Sequence, residues 1–221
     1  MTRRGGARSR ELRVLLDAHA RALASCRRCE FDDPAVLPVI SSAREPIAML
    51  VGQAPGKTEV VDRRPFAGRA GRTMFRWFAE VAIEEQVARR RIYIAAITRC
   101  FPGPSPSGRG DRVPSPTEIS NCSTWLDAEI ALIAPRVIIP VGRLAIERFL
   151  GSRPLDEQVG RAHRLSELPG SPIAIPLPHP SGASSWIHAP GHVDLVRASL
   201  RLIASHLPEL VQESAQARSV A

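Results

Sequence analysis

The chain has one tyrosine, three methionines, four cysteines and no apolar run of bilayer length. With aromatic residues at 5% of the chain, an extended aromatic platform for stacking single strands is excluded. The chain has only four cysteines, a redox CxxC would leave two of them unexplained, and cytosolic disulfides are uncommon. The basic N-terminus lacks the apolar segment of a secretory signal, and no stretch reaches the length of a membrane-spanning helix. A soluble, monomeric, intracellular protein is expected, cytoplasmic and nucleoid-associated. No internal repeat is present, so a solenoid is also excluded.

What is present fits one domain. The chain has 221 residues, 44% hydrophobic and 24% charged, enough for a single α/β core but hardly for two. The net charge is +8, most of the excess being arginine, and the isoelectric point is near 10.7. Such a surface favours a polyanionic partner, with nucleic acid the leading candidate. A GC-rich genome gives the same arginine excess, and charge alone leaves both explanations open.

Residues 1–9 read as a basic flexible arm, 10–207 as a single domain and 208–221 as a flexible tail. Leu12, Leu15, Leu16, Ala20 and Leu23 recur at helical spacing over 10–24. Apolar runs at 47–51, 92–97, 137–141 and 173–177 predict four buried strands. Helical segments are expected over 72–82, 117–134, 143–150 and 193–206. The second of these begins with Ser115 as N-cap, Pro116 at N1 and Glu118 at N3. Alternating strands and helices imply a central, mostly parallel four-stranded sheet covered on both faces. The Pro/Gly/Ser-rich stretch 101–115 is expected to be a long loop.

Three features carry chemistry. Residues 51–71 read VGQAPGKTEVVDRRPFAGRAG: a strand end, a Gly/Pro turn, the pair Pro65-Phe66, and a second Gly-rich turn that opens a helix. That order suits a flat ring with an adjacent phosphate, although an ordinary strand-to-helix loop has similar punctuation. His179 lies between two prolines just past the fourth strand, at the end of the sheet where open α/β folds keep their sites. Cys26 and Cys29 form CRRC after the first helix, Cys100 follows the second strand, and Cys122 begins a later helix. Their number suits a tetrahedral thiolate site, with zinc and an iron–sulfur cluster both open. Cys100 and Cys122 as ordinary buried residues is the simpler alternative.

On these residues the chain resembles the uracil-DNA glycosylase superfamily, most closely its iron–sulfur branch, family 4, with some family 5 character. Residues 52–71 match the branch's first motif, GEAPGxxEDxxGxPFVGxAG, without a gap. His179-Pro180-Ser181 opens its second motif, and the four cysteines stand in the expected order. The resemblance implies a three-layer α/β/α sandwich acting on DNA with a flipped-out damaged base. It implies a 4Fe–4S cluster held by Cys26, Cys29, Cys100 and Cys122, with zinc the less favoured occupant. Phe66 would stack on the base, while Gln53 and the backbone at Ala54 would hold its edge and the attacking water. His179 would stabilise charge on the leaving base, and Pro180, Ser181, Gly182 and Arg69 would meet the DNA. No histidine occurs between residues 101 and 117, so the covalent trapping known in one variant branch is not expected.

Two positions depart from the pattern. Gln53 stands where family 4 has Glu, and Ala96 stands where it has an Asn that reads uracil. Losing a two-point base contact removes about 1–3 kcal/mol of discrimination. Glu59, matched within the motif, is the first candidate for a replacement catalytic carboxylate, with Asp62 and Asp111 as further candidates; each is alternatively a solvated loop charge. Arg99, Arg109 and Arg112 are either phosphate contacts or solvated charges. The expected function is hydrolysis of the N-glycosidic bond of uracil or another deaminated base in DNA. The alternatives are an iron–sulfur DNA-binding protein of the same fold without efficient excision and, more distantly, a zinc-stabilised enzyme of free nucleotides.

Overall fold

The computed structural model describes residues 3–31, 36–107, 110–181 and 185–220. In chain order the elements are α1 (Arg3–Ala24), β1 (Ala48–Gly52), α2 (Lys57–Asp62), α3 (Arg69–Ala79), α4 (Glu85–Arg91), β2 (Ile92–Ala96) and α5 (Pro116–Ile133). There follow β3 (Val137–Pro140), α6 (Arg143–Leu150), α7 (Leu155–Gln158), β4 (His163–Arg164), β5 (Ile173–Ala174), α8 (His192–His206) and α9 (Pro208–Val220). A 3₁₀ turn, Ser185–His188, precedes α8. No helix among the described residues is long and apolar enough to cross a membrane.

The strands form one sheet of five, in the order β2-β1-β3-β5-β4. All neighbours are parallel except β4, which runs antiparallel to β5. The expected count of four is therefore corrected to five. The added strand is a two-residue edge, His163 and Arg164, held by pairing to Ala174 and Ile173. It has no apolar run to announce it, because an edge strand owes its place to backbone hydrogen bonds with its neighbour.

The period-2 alternation of the strands divides the core into two faces. Ala48, Leu50, Ile92, Ile94, Val137 and Ile139 face α3, α4, α8 and α9. Met49, Val51, Tyr93, Ala95 and Ile138 face α1 and α5. The sandwich thus has three layers, with the central strands buried on both sides, which is why they read as continuous apolar runs.

Capping follows the sequence at α5. The Ser115 hydroxyl accepts from the Glu118 N–H at 3.2 Å, and Glu118 accepts from the Ser115 N–H at 2.7 Å. The Arg112 guanidinium, bound to both Glu118 oxygens, holds that carboxyl below its usual range. The two ends of the chain depart from the expectation. The stretch expected to be a flexible tail is helical as α9, with Leu210 and Ser214 buried. Helix α1 likewise begins inside the expected arm, at Arg3. Docking explains α9: Ser214 accepts from the Glu84 N–H, and Arg90 and Arg218 pair with Glu213 and Glu84. Those partners lie about 130 residues away (|i−j| = 130 for Ser214 and Glu84), beyond any local pattern.

After β1 the chain crosses to β2 on one side, while β3 lies on the other. The carboxyl ends of β1 and β3 therefore flank a topological switch point, where ligand sites of open α/β sheets form.

Candidate active site

Gly52, the last residue of β1, stands in register with Ala96 of β2. The ladder runs on past both strands: the Ile97 N–H donates to the Gly52 carbonyl at 2.9 Å and the Thr98 N–H to the Gln53 carbonyl at 3.2 Å. Gln53 is thereby fixed through its backbone. Its half-buried side-chain amide makes no hydrogen bond to another described residue, so the amide is available to a ligand. Ala54 follows in the turn, half-buried.

Glu59 has a definite structural duty. One carboxylate oxygen accepts from the Gly56 N–H at 3.1 Å and the other from the Gly68 N–H at 2.9 Å. A single charge therefore staples the Gly/Pro turn to the turn that opens α3, through charge-assisted bonds that are stronger than neutral ones.

Phe66 sits at the centre of this stapled loop in a left-handed conformation, φ 49°. For a bulky residue this conformation costs about 1–3 kcal/mol and persists only when neighbours enforce it. Arg89 of α4 is one of them, donating to the Pro65 carbonyl at 2.9 Å and to the Phe66 carbonyl at 2.8 Å. Its guanidinium lies 4.3 Å from the centroid of the Phe75 ring. Sequence reasoning missed Arg89, since nothing local distinguishes it from the arginines beside it. The ring of Phe66 lies over Gly52, where a Cβ would stand 3.3 Å from its edge.

Gly71 approaches even more closely, because a Cβ there would lie 1.8 Å from the Phe66 carbonyl oxygen. Gly71→Ala is therefore expected to displace the Phe66 turn and cost about 1–3 kcal/mol. For a chain of this size, that lowers Tm by roughly 3–10 °C. A thermal melt matching the wild type would refute this close approach.

The opposite side is built by the chain after β5. Leu177 bridges to Val141, and the Gly142 N–H donates to the Leu177 carbonyl at 2.9 Å. His179 rests directly on Gly142, where a Cβ would stand 3.3 Å from the imidazole Cδ2. The Ser181 N–H points at His179 Nδ1 at 3.2 Å, and the Ser181 hydroxyl lies 2.8 Å from the same atom. A backbone N–H can only donate, so Nδ1 is the acceptor and the ring proton resides on Nε2. Burial pushes the imidazole pKa down, opposed by the charge of Glu59. The side chain is a neutral donor whose tautomer is fixed by its own loop.

The other anticipated residues fall as follows. Pro180 is buried and Ser181 half-buried beside His179, while Arg69 is exposed on the first turn of α3. Gly182 and Arg109 lie outside the described residues. Asp62 is exposed. Asp111 is brought to the site by the Pro104–Asp111 bridge, and its Oδ2 would lie 3.0 Å from a Cβ on Gly56. Burial, then the neighbouring Glu59, push its carboxyl pKa up. Arg99 is neither a solvated charge nor a surface phosphate contact: it is buried against Glu129.

All four cysteines line one cavity, together with Thr98, Arg99 and Asn121. The Arg99 N–H donates to Cys122 Sγ at 3.3 Å, and the Asn121 amide lies 3.7 Å from Cys29 Sγ. Burial pushes the Cys100 thiol up to about 12, with Cys122, Cys29 and Cys26 adding to the shift. The hydroxyl of Thr98, in the same lining, has no hydrogen-bond partner among the described residues. Among the described residues, no group of three His, Cys, Asp or Glu side chains is arranged to hold a single metal ion. Four sulfurs gather around one cavity, with N–H donors aimed at two of them, a set whose chemistry suits a thiolate-bound centre, either a zinc ion or an iron–sulfur cluster.

The CRRC segment is fixed by a network that sequence reasoning did not find. Arg28 stacks over Trp125 at 5.0 Å and donates to Thr124 at 2.6 Å, while Asn121 donates to the Arg28 carbonyl at 2.9 Å. Deeper in, the buried Glu129 carboxylate receives Arg99, the Tyr93 hydroxyl at 2.8 Å and His19 at 3.1 Å. It thereby ties α1 to β2 and α5.

Parts of the chain are similar to known proteins. The family model described as the uracil DNA glycosylase superfamily matches residues 41–201. A Type-4 uracil-DNA glycosylase of Archaeoglobus fulgidus is 30% identical over 134 residues, covering 60% of this chain and 62% of that protein. One from Thermotoga maritima is 32% identical over 133 residues, covering 60% of this chain and 64% of its own length. A Type-5 uracil-DNA glycosylase of Pyrobaculum aerophilum is 34% identical over 65 residues, 29% of this chain and 26% of that protein. The chain spans less than two thirds of the length of these relatives.

Proposed function

This chain belongs to the uracil DNA glycosylase superfamily, and from that premise we propose that it is a DNA repair glycosylase that excises a deaminated base. The observation that carries the reading is His179, a neutral donor with its tautomer fixed, set beside the loop that presents Phe66. The C1′–N bond of a flipped nucleotide breaks and its electron pair leaves with the base. His179 Nε2–H donates to the base oxygen on which that charge gathers, while Phe66 covers the ring. Water held by the Gln53 amide adds to C1′, and its proton passes to the departing base or to solvent. Glu59, with both oxygens engaged by backbone N–H groups, holds the loop rather than accepting that proton. Pro180, Ser181, Gly182 and Arg69 contact the DNA backbone, and the protein acts as a monomer.

Cys26, Cys29, Cys100 and Cys122 are the residues that hold a 4Fe–4S cluster in this reading. When bound, the cluster supplies thiolate cross-linking between the segment after α1, the end of β2 and α5. The chain's own contribution is to keep the four sulfurs around one cavity, with the Arg28–Trp125 contact fixing the segment that carries Cys26 and Cys29 and the Arg99–Glu129 pair fixing the residue before Cys100.

Ala96, in register with Gly52 beneath the Phe66 ring, offers no amide to read uracil. Preference for uracil over other deaminated bases is therefore expected to be weaker by about 1–3 kcal/mol than in a site with that contact. The test is a panel of oligonucleotides carrying uracil, hypoxanthine or xanthine, with alkali cleavage at abasic sites. Product from at least one base is expected. No product from any base at high protein excess would leave a DNA-binding protein of the same fold as the better reading.

A further inference from the structure

We infer that the groove between α3 and the His179–Ser181 segment is a track for the DNA backbone flanking the flipped nucleotide, gripped by Arg72 and Arg76. The inference rests on the glycosylase reading for its partner, but the observations behind it are separate. Arg69, Arg72, Thr73, Arg76, Trp77 and Glu80 recur at helical spacing on a single face of α3, and all line this groove. Its far wall is Ile187 and His188, and its inner end is His179-Pro180-Ser181. The groove holds about 560 Å³, within the range of sites for nucleotide-sized ligands.

Charge decides the class of occupant. Several surface arginines are neutralised, Arg13 and Arg91 by Glu45, Arg90 by Glu213, Arg136 by Glu209 and Arg148 by Asp127. Others, such as Arg63, Arg153 and Arg201, make no ion pair among the described residues; what distinguishes α3 is that three such arginines line one groove. On α3, no ion pair engages Arg69, Arg72 or Arg76 among the described residues; Arg76 donates only to the Thr73 hydroxyl at 3.2 Å. The one acid in the lining, Glu80, lies past the helix end, at its C-cap. Three exposed guanidinium groups a turn apart repel one another, and a line of phosphates relieves that repulsion. The N-terminal end of the α3 dipole adds to the same field. The track is continuous with His179, so a strand lying in it enters the site directly.

The test measures binding of the purified holoprotein to an undamaged, labelled oligodeoxythymidine by fluorescence anisotropy between 50 and 200 mM salt. Each phosphate contact on a single strand contributes about 0.7 to the slope of log K against log salt. R72Q/R76Q is expected to lower that slope by about 1.4 and to leave the thermal melt unchanged, both side chains being exposed. R148Q, which removes one positive charge elsewhere, is expected to keep the wild-type slope. A double variant with the wild-type slope, or an R148Q effect of the same size per charge, overturns the track. Wild-type protein with no salt-dependent binding to DNA overturns the glycosylase reading itself. Excision of a substrate base with the track variants still weak in salt dependence upholds both.

Discussion

His179→Ala is expected to lower the excision rate about 10²–10³-fold, the usual cost of removing one donor from a developing anion. KM should change little, because the charge that Nε2–H meets exists only once the C1′–N bond is breaking. The substitution leaves Gly142 and Ser181 in place, so the melt should stay near that of the wild type, which separates lost chemistry from lost fold. A second signature lies in pH. Burial lowers the imidazole pKa, so the ring stays neutral across and somewhat below the ordinary imidazole range, about pH 6.5. The rate is expected to be level above that range. It should fall only as acidity forces a proton onto Nδ1, where it opposes the Ser181 N–H. The linkage has the same sign: the unfolded chain takes up that proton first, so this contribution to stability is present above about pH 6.5 and is lost as pH falls through the depressed folded value. Single-turnover rates from pH 4.5 to 8.5 check both points. An alanine variant with the wild-type rate would remove His179 from the mechanism.

Cys122→Ala is expected to have the largest effect on stability. The sulfur is buried on α5, accepts the Arg99 N–H and faces the cavity shared with the other three. If the four sulfurs hold the proposed cluster, losing one belongs with the few substitutions that cost more than about 4 kcal/mol, or roughly 10 °C in Tm for a chain of this size. Iron content and visible thiolate-to-iron absorbance should be lost with it. Ser123→Ala, next to it on the same helix, should retain both. Wild-type protein carrying zinc and no iron after anaerobic purification would instead assign the four sulfurs to zinc.

The two ends of the candidate site were legible to different degrees. The loop from Gly52 to Gly71 announced itself because its glycines answer to short contacts: Gly52 lies under the Phe66 ring and Gly71 against its carbonyl. Such approaches admit no side chain and so leave a mark in the sequence. His179 was legible for a similar reason, being held by its own tripeptide. Arg89 and Glu129 left no mark. Each acts on residues that are near only after folding, Arg89 across 23 and 24 positions and Glu129 across 30, 36 and 110. The duty of Glu59 was also hidden. A motif position cannot say whether a carboxylate takes a proton or holds two N–H groups, and the distances to Gly56 and Gly68 point to the second.

By itself, the sequence determined the alternation of buried strands with helices, the two motifs and the set of four cysteines. These rest on periodicity, on close backbone approach and on residue chemistry, all of which are local. Only the tertiary structure decided the fifth strand, the docking of α9, the tautomer of His179 and the gathering of the cysteines around one cavity. Those depend on partners distant in the chain, or on the direction in which one N–H points, and no local pattern encodes either.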